Sequence, residues 1–169
     1  TGLVATYWKN GVPVTLGDGI TDSHAYGVVV SGGDVYIVGT EGNEATYWKN
    51  GIAVVLPGGV YANSIAVSGN DVYVSGGAEI YGGIMGTQST AVFWKNTDMV
   101  VLGPESGISN TSAIAVLDDD VYVAGSFRRT WRYSFDFRPP YATSWKNGTG
   151  KLITDGSVAA YASSIFIVK

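Results

Sequence analysis

The chain has 169 residues, 24 of them glycine, with 14% charged residues, no cysteine and a formal net charge of -4. That length is enough to bury a real core, and the lack of thiols removes disulfides, thiolate metal sites and cysteine nucleophiles together. The acidic balance argues against nucleic acid or an anionic membrane as partner, because both are bound through cationic surfaces, and no apolar run reaches the roughly 20 residues that span a bilayer. Abundant Gly, Val and Tyr, with no amphipathic helical stretch, predict an all-β protein rich in tight turns. No signal peptide stands at the front, and a chain opening on Thr1 rather than Met is expected to be a processed or excised one.

In chain order, Ala5-Thr6-Tyr7-Trp8-Lys9-Asn10-Gly11 reads as a strand ended by an Asn-Gly turn, with Val12–Leu16 returning beside it. A connection carrying the sole histidine, His24, leads to Val30–Gly39, where two apolar strands flank the turn at Gly32-Gly33. The first pattern then recurs as Ala45–Gly51 with Ala53–Leu56. The second recurs as Val67–Gly76 around Gly69-Asn70. After residues 77–90, predicted to be a loop insertion, come Ala91–Asn96 and Met99–Leu102, then Val116–Gly125 around Asp118-Asp119. A longer insertion, Ser126–Tyr141, precedes Ala142–Gly148 and Lys151–Ile153, and Ser163–Val168 reads as one more opening strand. Gly, Asn and Asp in the short turns tolerate the positive φ that two-residue hairpins require.

One unit is therefore four antiparallel strands, here A to D, with tight A–B and C–D turns and a variable B–C connection. Trp8, Trp48, Trp94 and Trp145 mark strand C of successive units. Units divide at residues 1–19 (partial), 20–59, 60–107, 108–156 and 157–169 (partial). Four antiparallel strands at this spacing match one blade of a β-propeller, so the expected fold is a propeller of four-stranded blades, three complete and parts of another. Strand C alternates Thr6 and Trp8 on one face with Tyr7 and Lys9 on the other, as blades packed on both sides require. Since strands C and D open the chain and strand A closes it, a ring closed within the chain would lack one strand B. The chain is therefore expected to belong to a larger ring.

The combined pattern, "SIAVSGNDVYVSG" followed by "ATYWKNG" and "VVLPGG", resembles the tandem YWKNG-type repeats of bacterial secreted or surface-anchored propeller-like proteins, and the resemblance covers essentially the whole chain. Its architecture is distantly similar to kelch and WD-type propellers, although the kelch double glycine and the WD dipeptide are not present as such. The resemblance implies an extracellular or cell-surface location and a longer parent protein, and it brings no catalytic residue with it.

Function is expected where the repeat is broken, because a repeat scaffold fixes its insertions while leaving their sequence free. Insertion 126–141 holds all four arginines and the one Trp outside the signature. Guanidinium groups stack on rings and pair with carboxylates, phosphates and sugars. The candidate contact residues are Arg128, Arg129, Trp131, Arg132, Tyr133, Phe135, Phe137 and Arg138, with Tyr81 from the preceding insertion. The competing reading is a long hairpin whose rings pack on a neighbouring blade. No metal and no cofactor are expected, since His24 has no second His or Cys, and Asp118-Asp119-Asp120 holds a hairpin-turn position. Recurrence in every unit assigns the signature Trp and Lys residues to packing between blades. The expected function is a non-enzymatic binding or structural module meeting a protein or glycan partner or a copy of itself. The rival is a sialidase-like glycoside hydrolase or lyase acting on anionic glycans.

Overall fold

Asn10, Asn50 and Asn147 take φ of 52°, 51° and 49°, and Gly11, Gly51 and Gly148 follow at 82°, 86° and 85°. These are the two left-handed positions of a type I′ hairpin turn, which Asn-Gly fills at least cost. In the computed structural model, which describes residues 2–81, 87–103, 107–129 and 139–168, the turns join β1 (Thr6–Lys9) to β2 (Val12–Thr15), β5 (Glu44–Lys49) to β6 (Ile52–Val55), and β13 (Tyr141–Lys146) to β14 (Thr149–Leu152). Asn96, at φ 59°, begins the equivalent turn between β9 (Thr87–Lys95) and β10 (Asp98–Val101). The A–B hairpins are β3 (Ser23–Ser31) with β4 (Asp34–Glu41), β7 (Gly59–Ser68) with β8 (Asp71–Tyr81), and β11 (Ile108–Leu117) with β12 (Asp120–Arg128). Gly32, Gly33, Gly69, Asp118 and Asp119 all take positive φ there.

The protein is all-β: three four-stranded antiparallel sheets follow one another along the chain, each in the order A-B-C-D, behind the two-stranded β1–β2. Among the described residues there is no helix, hence none long and apolar enough to cross a membrane.

Alternation along strand C sets the packing. Tyr47 and Trp48 are successive residues with opposite faces, and both are buried: Trp48 clusters with Ala5, Leu16, Val35 and Ile37, while Tyr47 joins Leu56, Val74 and Trp94. In the same way Trp94 faces back toward β3–β6, and Phe93 faces forward into a cluster with Leu102, Ile114 and Trp145. Each buried Trp is thus a knob set into the preceding sheet, beside the Leu that follows its strand D. Trp94 Nε1 donates to Pro57 O at 3.1 Å and Trp145 Nε1 to Leu102 O at 2.8 Å. The Trp48 indole N–H is buried with no partner among the described residues.

Four expectations need correction. Residues 77–81 and 87–90 are strand rather than loop: β8 and β9 continue their ladder past the unit, pairing Ala78 with Thr90 and Tyr81 with Thr87. Likewise Ser126–Arg128 and Tyr141, expected in the second insertion, belong to β12 and β13, because the B–C ladder pairs them. His24 lies inside β3, opposite Thr40, with its ring stacked at 6.2 Å on Tyr26; strand A begins earlier than its apolar run because polar Ser23 and His24 still have β4 beside them. Ser163–Val168 is not a strand among the described residues, since no neighbouring strand takes its main-chain groups. Just before it, Ala160 N donates to Pro140 O and Ala162 N to Gly125 O. Fourth, the signature lysines Lys49, Lys95 and Lys146 join hairpins within one sheet rather than packing between sheets.

Candidate functional site

The polar residues that recur in each unit form one arrangement. At the start of strand B stands an aspartate, and at the end of strand C the Lys-Asn pair. Lys49 Nζ lies 2.9 Å from Asp34 Oδ2, Lys95 2.8 Å from Asp71 and Lys146 2.6 Å from Asp120. Asn50, Asn96 and Asn147 donate Nδ2 to the other oxygen of the same carboxylates at 2.8, 3.1 and 2.7 Å. Their Oδ1 atoms accept the amides of Val35, Val72 and Val121. The lysines also lie over the rings of Tyr36, Tyr73 and Tyr122, 5.2, 5.5 and 5.2 Å from the centroids. The Asp-Val-Tyr and Lys-Asn-Gly motifs are thus two halves of a clip that ties the A–B hairpin to the C–D hairpin. With the same geometry in three sheets, it is part of the scaffold.

The clip sets a pH dependence. The Asn50 amide and the Lys49 ammonium hold the Asp34 carboxyl below its ordinary range, and Lys95 with Asn96, and Lys146 with Asn147, do the same for Asp71 and Asp120. The three lysines are raised by those carboxylates. A carboxyl depressed in the folded state contributes stability above its unfolded value, about pH 4, and loses it as pH falls through the folded value. A raised lysine contributes below about pH 10.4 and loses it above. Thermal midpoints are therefore expected to be flat from about pH 5 to 9 and to fall below about pH 4. The triple variant Asp34→Asn, Asp71→Asn, Asp120→Asn should flatten most of that acid limb. What remains falls to Asp18, held low by the amides of Thr21 and Ile20, and Asp155, held low by Ser157. An unchanged acid limb would remove the clip as its cause.

The insertion rim is different in kind, because it is not repeated. Ser126, Phe127 and Arg128 close β12, with Phe127 opposite Tyr141 at the start of β13. Their rings stack at 6.4 Å, and the exposed Arg129 places its guanidinium carbon 5.9 Å from the Tyr141 centroid. Arg128, half-buried, borders a cleft of about 260 Å³ lined also by Ile108, Asn110, Ser126, Pro140 and Tyr161. Asn110 is oriented from the neighbouring sheet, where Tyr61 OH donates to its Oδ1 at 3.3 Å; burial pushes the Tyr61 phenol above its ordinary pKa. The cleft offers a cation, amide and hydroxyl groups and an exposed phenol ring, a set suited to holding a carboxylate beside an apolar or sugar face.

Of the candidate residues, Arg128 and Arg129 lie together at this rim. Tyr81 ends β8 on the adjacent sheet, also where strand B hands over to strand C. Trp131, Arg132, Tyr133, Phe135, Phe137 and Arg138 lie outside the described residues. Asn110 and Tyr161 were missed: both sit early in strand A positions, which share an end with the B–C connection. Following that shared end from Arg128 to the residues before each strand A would have found them. Among the described residues no group of three or more His, Asp or Glu is placed to hold a metal. Comparison with protein-family models gives no match, and comparison with curated proteins gives none.

Proposed function

We propose that the chain is a segment of a β-propeller serving as a non-enzymatic binding and structural module outside the cell, with the Arg128 rim presented to a partner that carries carboxylates. The observation that carries the binding half is a contrast. In the three complete sheets the repeated Asp, Lys, Asn and Trp side chains are taken up by clips and knobs, whereas Arg128 and Asn110 line a cleft. The extracellular location rests on the resemblance of the repeat.

Complementary ends support the propeller. Leu16, Leu56, Leu102 and Ile153 are equivalent, each donating its amide to the carbonyl of the alanine that opens strand C: Ala5, Ala45, Ala91 and Ala142. The three leucines are at most 6% exposed beneath the next unit, and Ile153 is 58% exposed. At the other end Trp8 is 68% exposed, against 0%, 0% and 3% for Trp48, Trp94 and Trp145. One end carries an unused knob and the other an unused socket, as an array that continues into a ring, or into another copy, would have.

Titration calorimetry with sialyllactose, hyaluronan oligosaccharides and a poly-glutamate peptide tests the binding half. Arg128→Ala is expected to weaken whichever acidic probe binds by about tenfold or more, and Arg129→Ala by less, because its guanidinium is exposed. Equal affinity in the wild-type chain and Arg128→Ala would remove the cleft from the reading. Release of sialic acid or of unsaturated uronate products by the wild-type chain would replace it with the hydrolase or lyase reading.

A further inference from the structure

Two of the clips end on an Asn-Gly pair, Asn50-Gly51 and Asn147-Gly148, and this dipeptide carries a reactivity of its own. Glycine has no side chain to screen its amide nitrogen, so that nitrogen can attack the Cγ of the asparagine before it. Neither turn is crowded enough to close the approach: a Cβ placed on Gly51 would meet no atom within 4 Å, and one on Gly148 would meet only Val100 Cγ1, at 3.7 Å. Both asparagines are exposed, so water reaches them as well.

What holds each carboxamide is the clip. Asn50 Oδ1 accepts the Val35 amide at 2.9 Å, and Asn50 Nδ2 donates to Asp34 at 2.8 Å. Asn147 Oδ1 accepts the Val121 amide at 2.8 Å, and Asn147 Nδ2 donates to Asp120 at 2.7 Å. Both polar atoms of each amide are thus tied to strand B. For the glycine nitrogen to reach Cγ, the side chain must turn back over its own main chain, which breaks the two bonds together. Asn96 makes the same pair of bonds, but Thr97 follows it, and a β-branched side chain screens the nitrogen by itself.

We infer that Asn50-Gly51 and Asn147-Gly148 are latent deamidation sites, each kept unreacted by the aspartate of its own clip. When a clip opens locally, the glycine amide nitrogen gives its proton to solvent and forms a bond to the asparagine Cγ. The Cγ–Nδ2 bond breaks, and Nδ2 takes a solvent proton and leaves as ammonia. The cyclic imide so formed adds water at either carbonyl, giving aspartate or isoaspartate, with nothing oxidised or reduced.

The product cannot remake the clip. An aspartate at this place sets a second carboxylate where an amide donated to Asp34 or Asp120, and like charges that close repel. An isoaspartate adds a methylene to the main chain of a two-residue turn. The change is therefore one-way: opening permits it, and it leaves the A–B and C–D hairpins of that sheet untied.

The whole chain, incubated in mildly alkaline buffer and followed by peptide mass mapping with chromatographic separation of aspartate from isoaspartate, provides the test. Asp34→Ala is expected to speed conversion at Asn50 about tenfold and to leave Asn147 unchanged. Asp120→Ala should do the reverse. Asp34→Asn keeps an acceptor for Asn50 Nδ2, so it should bring the rate at Asn50 most of the way back to wild type. Each variant carries its own control, because loss of the whole fold would release both sites together. Faster conversion at both sites from either single substitution to Ala, an unchanged rate at Asn50 in Asp34→Ala, or equal acceleration by Asp34→Asn and Asp34→Ala would each overturn the assignment.

Discussion

Trp94→Ala is expected to cost about 3–5 kcal/mol in urea denaturation, whereas Trp8→Ala stays within about 0.5 kcal/mol of wild type. The two residues occupy the same place in the same Trp-Lys-Asn motif, each at the end of a strand C. What differs is the neighbour. Trp94 is fully buried between β3–β6 and β7–β10, and its indole bond to Pro57 O crosses that junction. Trp8 has no sheet on its side and is 68% exposed. Truncating Trp94 therefore leaves a cavity between two sheets and strands a carbonyl. In a tandem array stability is close to a sum of unit and junction terms, so the loss falls on one junction and the denaturation slope should shallow as the flanking units unfold separately. Equal losses for the two variants would mean that the signature Trp acts within its own sheet, and the knob assignment would fall.

Much of the scaffold was legible in the sequence because it is repeated. Four copies of Trp-Lys-Asn and three of Asp-Val-Tyr fix strand order, turn positions and the unit boundary, and the alternation of Tyr47 with Trp48 announces a sheet packed on both faces. The role of Lys-Asn was not legible from repetition alone. Its partner aspartate lies 15 to 26 residues away in sequence, for example Asp34 to Lys49 and Asp120 to Lys146, and only the register of B against C brings them together. The insertions stand out in the sequence as breaks in the repeat. Strand propensity does not reveal that the main chain of 77–81 and 87–90 simply extends an existing ladder. The cleft at Arg128 draws on Asn110 and Tyr161, which come from segments 18 and 33 residues away from it, so no local window contains it.

Gly76→Ala is expected to cost about 3 kcal/mol, one of the largest effects available from a single methyl group. Gly39, Gly76 and Gly125 end the apolar run of strand B in each sheet, and none has the positive φ for which glycine is usually kept. Their reason is space. Each stands opposite the bulge of strand A, where the register steps from Ala25 to Gly27, Ala62 to Ser64 and Thr111 to Ala113. A bulge bends its strand and brings the main chain inward, so a Cβ on the facing residue would overlap the carbonyl oxygen of His24, Tyr61 or Asn110 respectively. At Gly76 it would also stand 2.9 Å from Ala62 Cα and 3.0 Å from Trp94 Cζ3, so the side chain that locks the junction cannot yield either. Gly69→Ala supplies the contrast: its turn has φ 59° but nothing within 4 Å of the added methyl, and conformational strain alone should cost about 1 kcal/mol. Denaturant midpoints for the two variants decide between the causes. A larger loss at Gly69 than at Gly76 would show that the bulge relaxes to admit a methyl, and the close approach of strand A to strand B would cease to be a fixed element of the unit.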